Sequence, residues 1–305
     1  MERRNFVKTA ALFGGAVLSG TATAGITERG KSNAAQFKLK YAPSLDMFSA
    51  TVGSKDITAN LKFIKDQGFR AVFDNNYPTR SKEDQDLIAN QMGKLGLEFG
   101  PYVLYADFGK ESMVLKDVSV LNMLRDRILV ATEIKKRTGF HMALMVPGRY
   151  NQRLAWDYQA ANVIDNLRDL SGMAEKEGII IVLEPLNRYD HPGLFLSGSP
   201  QAYMICRAVN SPSCKIIFDV YHQQITEGNL IPNLDMCWQE IGTLHCGDNP
   251  GRKEPTSGEI NYRGVFKHLF EKGYQGAICM EHGKSLSGKE GDQAVIDAYR
   301  YCDNF

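Results

Sequence analysis

The segment IIIVLEPLN, residues 179–187, runs from four consecutive β-branched residues and a leucine directly into an acid and a proline. Its apolar residues follow one another without alternation, which is typical of a strand covered on both faces. Proline lacks the N–H that a sheet ladder needs, so the strand ends before Pro185. Glu184 is therefore predicted to lie at the carboxyl end of a buried strand.

The same pattern occurs seven more times along the chain. Each run is short, largely apolar and bounded by turn residues, which favours strands over buried helices. The runs are FKLKYAPS from Phe37, FRAVFDN from Phe69, LEFGPYVLY from Leu97, FHMALMVP from Phe140, KIIFDVYH from Lys215, IGTLHCGD from Ile241 and GAICMEHG from Gly276.

Amphipathic segments separate the predicted strands. DITANLKFIKDQG, DQDLIANQMGKLG and NVIDNLRDLSGMAEKEG carry apolar residues at the period of a helix. Glycine just past a helix adopts the left-handed capping conformation at little cost. Such a glycine precedes several of the strands, at Gly68, Gly96, Gly139, Gly178 and Gly273.

Repeated strand–helix units in residues 37–305 predict an α/β fold, a single (β/α)8 TIM barrel. An open doubly wound sheet is the alternative. It is disfavoured because no G-x-G-x-x-G fingerprint follows the first predicted strand.

The overall composition is that of a globular protein. The 305 residues are 43% hydrophobic and 23% charged, with a formal net charge of +1. A chain so close to neutrality has no general attraction for nucleic acid or for anionic membrane surfaces. The six cysteines include no Cys-x-x-Cys pair, so neither a zinc knuckle nor a dense disulfide framework is indicated.

The N-terminus has a different character. MERRNFVK is basic, TAALFGGAVLSG is small and apolar, and Ala22-Thr23-Ala24 offers a cleavage pattern. The Arg3-Arg4 pair resembles a twin-arginine signal. We predict that residues 1–24 are an export signal, that the mature protein is periplasmic, and that it has no membrane span. The alternative is a basic N-terminal helix.

Four consecutive predicted strands end in a side chain that can bind metal. In a (β/α)8 barrel the carboxyl ends of the strands form one rim, where active sites lie. Taken singly, each side chain could be a helix cap, a loop charge or a core histidine. Together they predict a site for one divalent metal ion, Mg²⁺, Mn²⁺, Co²⁺ or Zn²⁺. The residues are Glu184, Asp219, His245 and Glu281.

Several long motifs carry a family resemblance. EPLNRYDHPGLFL, FDVYHQQITEG, DNPGRKEPTSGEINY and GYQGAICMEHG resemble the hydroxypyruvate isomerase family of xylose-isomerase-like barrels, which also include ketose 3-epimerases. The resemblance implies the same metal ligands, and it implies that His222 contacts a substrate oxygen. It also places Arg252 at the substrate rim. The loop that contains Arg252 is expected to be a substrate wall, and Glu254 is a further candidate for substrate binding.

The predicted activity is isomerisation of a sugar or sugar acid through an enediolate. A divalent ion would polarise adjacent oxygens, and a carboxylate, Glu184 or Glu281, would move the proton. If one carboxylate takes the proton and the other returns it, the outcome is 3-epimerisation. Metal-dependent phosphoester hydrolysis on this barrel needs more histidines than the rim offers. A non-catalytic barrel that binds a sugar acid is the third alternative.

The sequence departs from the hydroxypyruvate isomerase pattern in ways that leave the substrate open. Many members of that family have glutamine at the position of His245, and histidine is typical of the epimerases. Arg252 suits a substrate carboxylate, because its guanidinium can form two parallel hydrogen bonds. Its alternative role is an ion pair with Glu254 or Glu259. A small-molecule substrate is expected in either case, and a homo-oligomer stays open.

Overall fold

The computed structural model describes residues 34–305. The predicted export signal, residues 1–24, lies outside the described part. Among the described residues, no helix combines the length and the apolar character needed to cross a membrane.

Parallel strands form the centre of the described chain. β1, β9, β8, β7, β6, β5 and β4 hydrogen-bond in that order as one sheet, and β2 pairs with β3. The strands are β1 (Lys40–Ala42), β2 (Ala71–Val72), β3 (Glu98–Phe99), β4 (Tyr102–Tyr105), β5 (Met142–Met145), β6 (Ile180–Leu183), β7 (Cys214–Asp219), β8 (Ile241–Cys246) and β9 (Ala277–Met280).

Backbone hydrogen bonds join the two sheets into a closed barrel. The Phe73 N–H donates to the Pro43 carbonyl over 3.2 Å, which links the chain after β2 to the chain after β1. On the other side, Gly100 donates to Val72 over 2.8 Å and Val103 donates to Asn75 over 3.1 Å. The predicted α/β barrel is therefore confirmed.

The third predicted strand, LEFGPYVLY, is interrupted. Its residues form β3 and β4, with Gly100 and Pro101 between them. A Cβ atom at Gly100 would lie 2.7 Å from Cys279 Sγ and 3.0 Å from Phe73 Cβ, so the backbone passes close to the barrel interior there. Pro101 cannot donate to the ladder. The prediction of one continuous strand was wrong for this physical reason.

Helices alternate with the strands around the outside. They are α1 (Ser49–Val52), α2 (Ile57–Asp66), α3 (Lys82–Leu95), α4 (Val118–Thr138), α5 (Trp156–Lys176), α6 (Ser199–Val209), α7 (Val220–Thr226), α8 (Leu230–Cys237), α9 (Tyr262–Glu271) and α10 (Gly288–Asp303). The five glycines predicted to follow helices all have positive φ, between 61° and 86°.

The main hydrophobic core lies between the barrel and its helices. Large aromatic side chains such as Tyr41, Phe69 and Phe266 are fully buried there. All six cysteines are buried and unpaired, in agreement with the absence of a disulfide framework. The strand register matters for function, because Asp219 pairs directly with His245 and His245 with Cys279. Neighbouring strand ends thus lie at one level.

Candidate metal centre

The barrel brings together the four side chains predicted to bind metal. One potential ligand atom from each lies within 4.8 Å of every other. Glu184 and Glu281 directly follow β6 and β9, Asp219 is the last residue of β7, and His245 lies near the end of β8. The strand ends therefore supply the cluster from four adjacent positions.

His245 lies between the two glutamates of the cluster. Its Nδ1 is 2.9 Å from Glu184 Oε1 and 3.0 Å from Glu281 Oε2. The His245 ring is fully buried and packs against Phe73, with 6.0 Å between ring centroids. The imidazole is thus held with one nitrogen directed at both carboxylates.

Asp219 has two functions in the cluster, one for each carboxylate oxygen. Its Oδ1 caps α7 by accepting the backbone N–H groups of Tyr221, at 2.8 Å, and His222, at 3.2 Å. Its Oδ2 points to the other side, where it accepts a hydrogen bond from Arg252. The cap therefore orients the second oxygen towards the cluster.

The proximity of the acids changes how they titrate. Burial, followed by repulsion from Glu281, raises the pKa of Glu184 to about 7. Burial opposes ionisation of Glu281 too, but the neighbouring His245 and Arg252 lower its pKa below the usual range. Burial disfavours a charged His245, yet the two glutamates outweigh it and raise the pKa of His245.

The donor set fits a divalent cation. Three carboxylates this close together repel one another when ionised, so the cluster requires positive charge. Carboxylate oxygens with a single imidazole nitrogen suit Mg²⁺, Mn²⁺, Co²⁺ or Zn²⁺. The residues Glu184, Asp219, His245 and Glu281 are thus consistent with one bound metal ion.

Arg252 contacts the cluster itself. Its Nη2 donates to Asp219 Oδ2 over 3.0 Å and to Glu281 Oε2 over 2.7 Å. The guanidinium carbon also lies 5.0 Å from the centroid of the Tyr221 ring. The alternative expectation of an ion pair with Glu254 or Glu259 was wrong, because the guanidinium turns inward to the candidate ligands.

Glu254 holds the loop after β8 against the loop after β9. Its Oε2 accepts the Ser285 N–H over 2.8 Å, and its Oε1 accepts the Ser285 hydroxyl. The carboxylate is buried. These contacts give Glu254 an anchoring role, and its predicted contact with substrate stays a prediction.

His222 lies beside the cluster and is fully buried. Its Nε2 is 3.6 Å from Asp219 Oδ2, and its Nδ1 is 2.7 Å from the side-chain nitrogen of Asn187. Burial lowers the pKa of His222 to about 4, so the ring is neutral near pH 7. The substrate contact of His222 stays a prediction.

Asn75 is a site residue that the sequence analysis missed. Its Nδ2 donates to Glu281 Oε1, on the oxygen opposite the one that contacts His245 and Arg252. It follows the second strand, in the motif VFDNN. Like the four candidate ligands, Asn75 lies near the carboxyl end of a strand, and this position in the sequence indicates a place at the same rim.

Two curated relatives carry isomerase names. The chain is 32% identical to hydroxypyruvate isomerase of Escherichia coli (strain K12) over 176 residues, which are 58% of this chain and 68% of that protein. It is 34% identical to 2-oxo-tetronate isomerase of Cupriavidus necator over 122 residues, which are 40% of this chain and 47% of that protein. The chain is thus isomerase-like, and these homologues imply a small-molecule substrate.

Solved structures show the same fold. An AP endonuclease, family 2, from Brucella melitensis superposes with a TM-score of 0.69 at 21% identity, covering 83% of this chain and 96% of that one. A D-psicose 3-epimerase from Clostridium cellulolyticum H10 superposes with a TM-score of 0.68 at 15% identity, covering 87% and 98%. Likenesses at such low identity bear on the fold alone.

The match at the family level covers most of the chain. Residues 61–302 match the family described as the xylose isomerase-like TIM barrel. This matched segment contains every strand from β2 to β9 and all four candidate ligands. The chain therefore belongs to the xylose isomerase-like TIM-barrel family, and it is a homologue of the hydroxypyruvate and 2-oxo-tetronate isomerases.

Proposed function

We propose that this protein is a metal-dependent isomerase of a small hydroxy-keto acid, of the hydroxypyruvate isomerase type. It interconverts aldehyde and ketone forms through an enediolate. The observation that carries the proposal is the pair Glu184 and Glu281, whose carboxylates lie 2.9 Å and 3.0 Å from His245 Nδ1 in a cluster suited to a metal. A cation held there would stabilise the negative charge of the enediolate, and a carboxylate beside it supplies the base.

Proton transfer falls to the glutamates. Bound at Glu184, Asp219, His245 and Glu281, a divalent ion would act as a Lewis acid towards adjacent substrate oxygens. Glu184 takes the proton from the hydroxyl-bearing carbon and returns it to the neighbouring carbon. A carboxylate beside the reacting carbon can accept the proton from one carbon and give it to the next. Such acid–base help contributes roughly 10²–10⁴-fold.

Two further side chains bind and orient the substrate. His222 contacts a substrate oxygen, and Arg252 meets the carboxylate of the acid. Support for the second role comes from the position of the guanidinium, which is 29% exposed and within 3.0 Å of two candidate ligands. A planar cation at that point suits a carboxylate bound beside the metal.

A ketose 3-epimerase is the second candidate. It is favoured by the presence of two carboxylates, those of Glu184 and Glu281, within 3.0 Å of one nitrogen, since one can take a proton and the other return it. The neutral sugar would then have no need of a cation such as Arg252.

Export of the protein to the periplasm by residues 1–24 also stays a proposal.

Solvent-exchange measurements separate the candidates. The enzyme is freed of metal with EDTA, reloaded with Mn²⁺, Mg²⁺, Co²⁺ or Zn²⁺, and incubated in D₂O with hydroxypyruvate, other hydroxy-keto acids and neutral ketoses. We expect deuterium at the carbon beside the carbonyl of an acid, only in the metal-loaded samples. Exchange confined to neutral ketoses would establish the epimerase, and metal binding without any exchange would indicate a non-catalytic barrel.

A further inference from the structure

Asn187 lies on the loop after β6, three residues beyond Glu184, and both ends of its amide are occupied. Its Oδ1 accepts the backbone N–H groups of Tyr189, at 3.0 Å, and Asp190, at 2.9 Å. Its Nδ2 donates to Asp190 Oδ2 over 2.9 Å. If the Asn187 amide were flipped, its NH₂ group would face the backbone N–H groups of Tyr189 and Asp190. The amide nitrogen therefore lies on the side of His222.

The orientation of the Asn187 amide decides the state of the His222 ring. Nδ1 of His222 is 2.7 Å from Asn187 Nδ2 and 3.3 Å from the Asn187 backbone nitrogen. Both are N–H donors, so Nδ1 must accept. A neutral imidazole has one N–H, which is therefore on Nε2.

Nε2 of His222 is an unused donor beside the metal ligands. It is fully buried and has no hydrogen-bond partner among residues 34–305. Its nearest acidic atom is Asp219 Oδ2, at 3.6 Å, which is beyond hydrogen-bond distance. A buried N–H without a hydrogen-bond partner costs free energy, so we expect an acceptor to bind next to Nε2 of His222.

We propose that Asn187 is a positioning residue that holds His222 in the Nε2–H form. The N–H then donates to a substrate oxygen next to Asp219, and it stabilises negative charge that develops there. The proposal rests on the proposed function for the identity of that acceptor. The position of the proton on the His222 ring follows from the hydrogen bonds alone.

A second layer of contacts keeps the amide in place. Asp190 Oδ2 accepts from Asn187 and also from the Tyr221 hydroxyl, over 2.8 Å. The hydrogen bond from Asn187, more than any other influence, lowers the pKa of Asp190, so its carboxylate stays an acceptor. Asp190 thus fixes the amide nitrogen towards His222.

The substitution Asn187→Asp tests the proposal, because it keeps the shape and replaces the Nδ2 donor by an oxygen acceptor. We expect the ¹⁵N spectrum of histidine-labelled, Mg²⁺-loaded wild type to show His222 protonated at Nε2, with the signal assigned by its loss in His222→Gln. In Asn187→Asp the proton should appear on Nδ1. In addition, kcat should fall by roughly 10–100-fold with a smaller change in KM.

Two further variants keep the result interpretable. Asn187→Ala removes the side-chain donor without adding charge, and it should give a mixture of the two ring forms. Asn122→Asp makes the same chemical change at an exposed position on α4 and should change neither spectrum nor kinetics. Thermal melting identifies any variant that fails to fold.

The ¹⁵N spectra test the protonation of the His222 ring, and the kinetics test its role in catalysis. A wild-type His222 protonated at Nδ1, or an unchanged spectrum in both Asn187 variants, would overturn the proposal. A shifted spectrum with unchanged kcat would remove the role in catalysis. If the wild type acts on none of the substrates and the spectra behave as expected, the proposed function fails while the role of Asn187 in setting the ring state stands.

Discussion

Arg252 donates a hydrogen bond to Glu281 over 2.7 Å, and the same nitrogen reaches Asp219 at 3.0 Å. An arginine on a loop is thus bonded to two candidate metal ligands. Its backbone is in the left-handed region, at φ 52°, which is uncommon for residues other than glycine. Such backbone conformations persist where the surrounding structure enforces them, and they cluster at functional sites.

The first prediction concerns metal affinity. Arg252→Ala should tighten Mn²⁺ binding by roughly tenfold, because the positive guanidinium of Arg252 repels the cation. Two like charges a few ångströms apart repel by about 1–4 kcal/mol. Titration calorimetry on the EDTA-treated protein measures the effect, and Arg252→Lys, which keeps the charge, is the control. Weaker metal binding in Arg252→Ala would show that the arginine orders the ligands rather than competing with the cation.

The second prediction concerns the substrate. For a hydroxy-keto acid, Arg252→Ala should lower kcat/KM by one to two decades, since a charge-assisted hydrogen bond is worth roughly 1.5–3 kcal/mol. Arg252→Lys should recover part of the loss, because an ammonium group cannot form the two parallel bonds. Unchanged kinetics in Arg252→Ala, or a wild type active on neutral ketoses alone, would favour the epimerase.

The third prediction is a pH dependence of metal binding. The two glutamates raise the pKa of His245, so in the metal-free protein this ring holds a proton at neutral pH. A metal ion needs the lone pair and must displace that proton, so its affinity should fall as the pH falls. Calorimetry in buffers of different ionisation enthalpy should detect proton release on binding. Binding that is independent of pH between about 6 and 8 would contradict the assignment of His245 as a ligand.

The fourth prediction identifies the base. Glu184→Gln keeps the size of the side chain and removes its basicity, so solvent deuterium should no longer enter the substrate. Metal content, measured by elemental analysis, reports whether the variant still binds the ion. Full exchange in metal-loaded Glu184→Gln would assign the base to Glu281, and Glu281→Gln is then the variant to compare.

The fifth prediction concerns the loop after β8. Asp248 is fully buried and accepts the N–H groups of Gly258, at 2.9 Å, and Ile260, at 3.0 Å. Asp248→Ala leaves both donors unpaired, so the free energy of unfolding should fall by about 1–3 kcal/mol and KM should rise. Denaturant melts and kinetics measure the two effects. Glu259→Ala, at an exposed position of the same loop, is the comparison, and an unchanged free energy of unfolding in Asp248→Ala would contradict the prediction.

The barrel and its ligands could be predicted because both depend on short-range patterns. Continuous apolar runs separated by amphipathic segments indicate parallel strands with helices between them, whatever their distant contacts. In such a fold all strands end at one rim, so Glu184, Asp219, His245 and Glu281 had to come close together. The capping glycines were equally predictable, since the left-handed conformation is a local requirement.

Contacts between distant parts of the chain needed the tertiary structure. The interruption at Gly100 depends on Cys279 and Phe73, which lie elsewhere in the sequence. Asn75 reaches Glu281 across 206 positions. The Gly100-Pro101 pair and the place of Asn75 after a strand are visible in the sequence. The partners of Gly100 and Asn75 are not, because packing and not local propensity places those atoms together.

The sequence by itself determined the fold, the rim formed by the strand ends and the set of candidate ligands. The reason is that apolar periodicity and the residues that end each strand are local features of the sequence. The tertiary structure alone decided which way the side chains at the rim face. Arg252 turns to Asp219 and Glu281 rather than to Glu254, and Asn187 presents its amide nitrogen to His222, 35 positions away. Those orientations follow from the paths of loops and from hydrogen bonds between residues far apart in the sequence, so no local pattern predicts them.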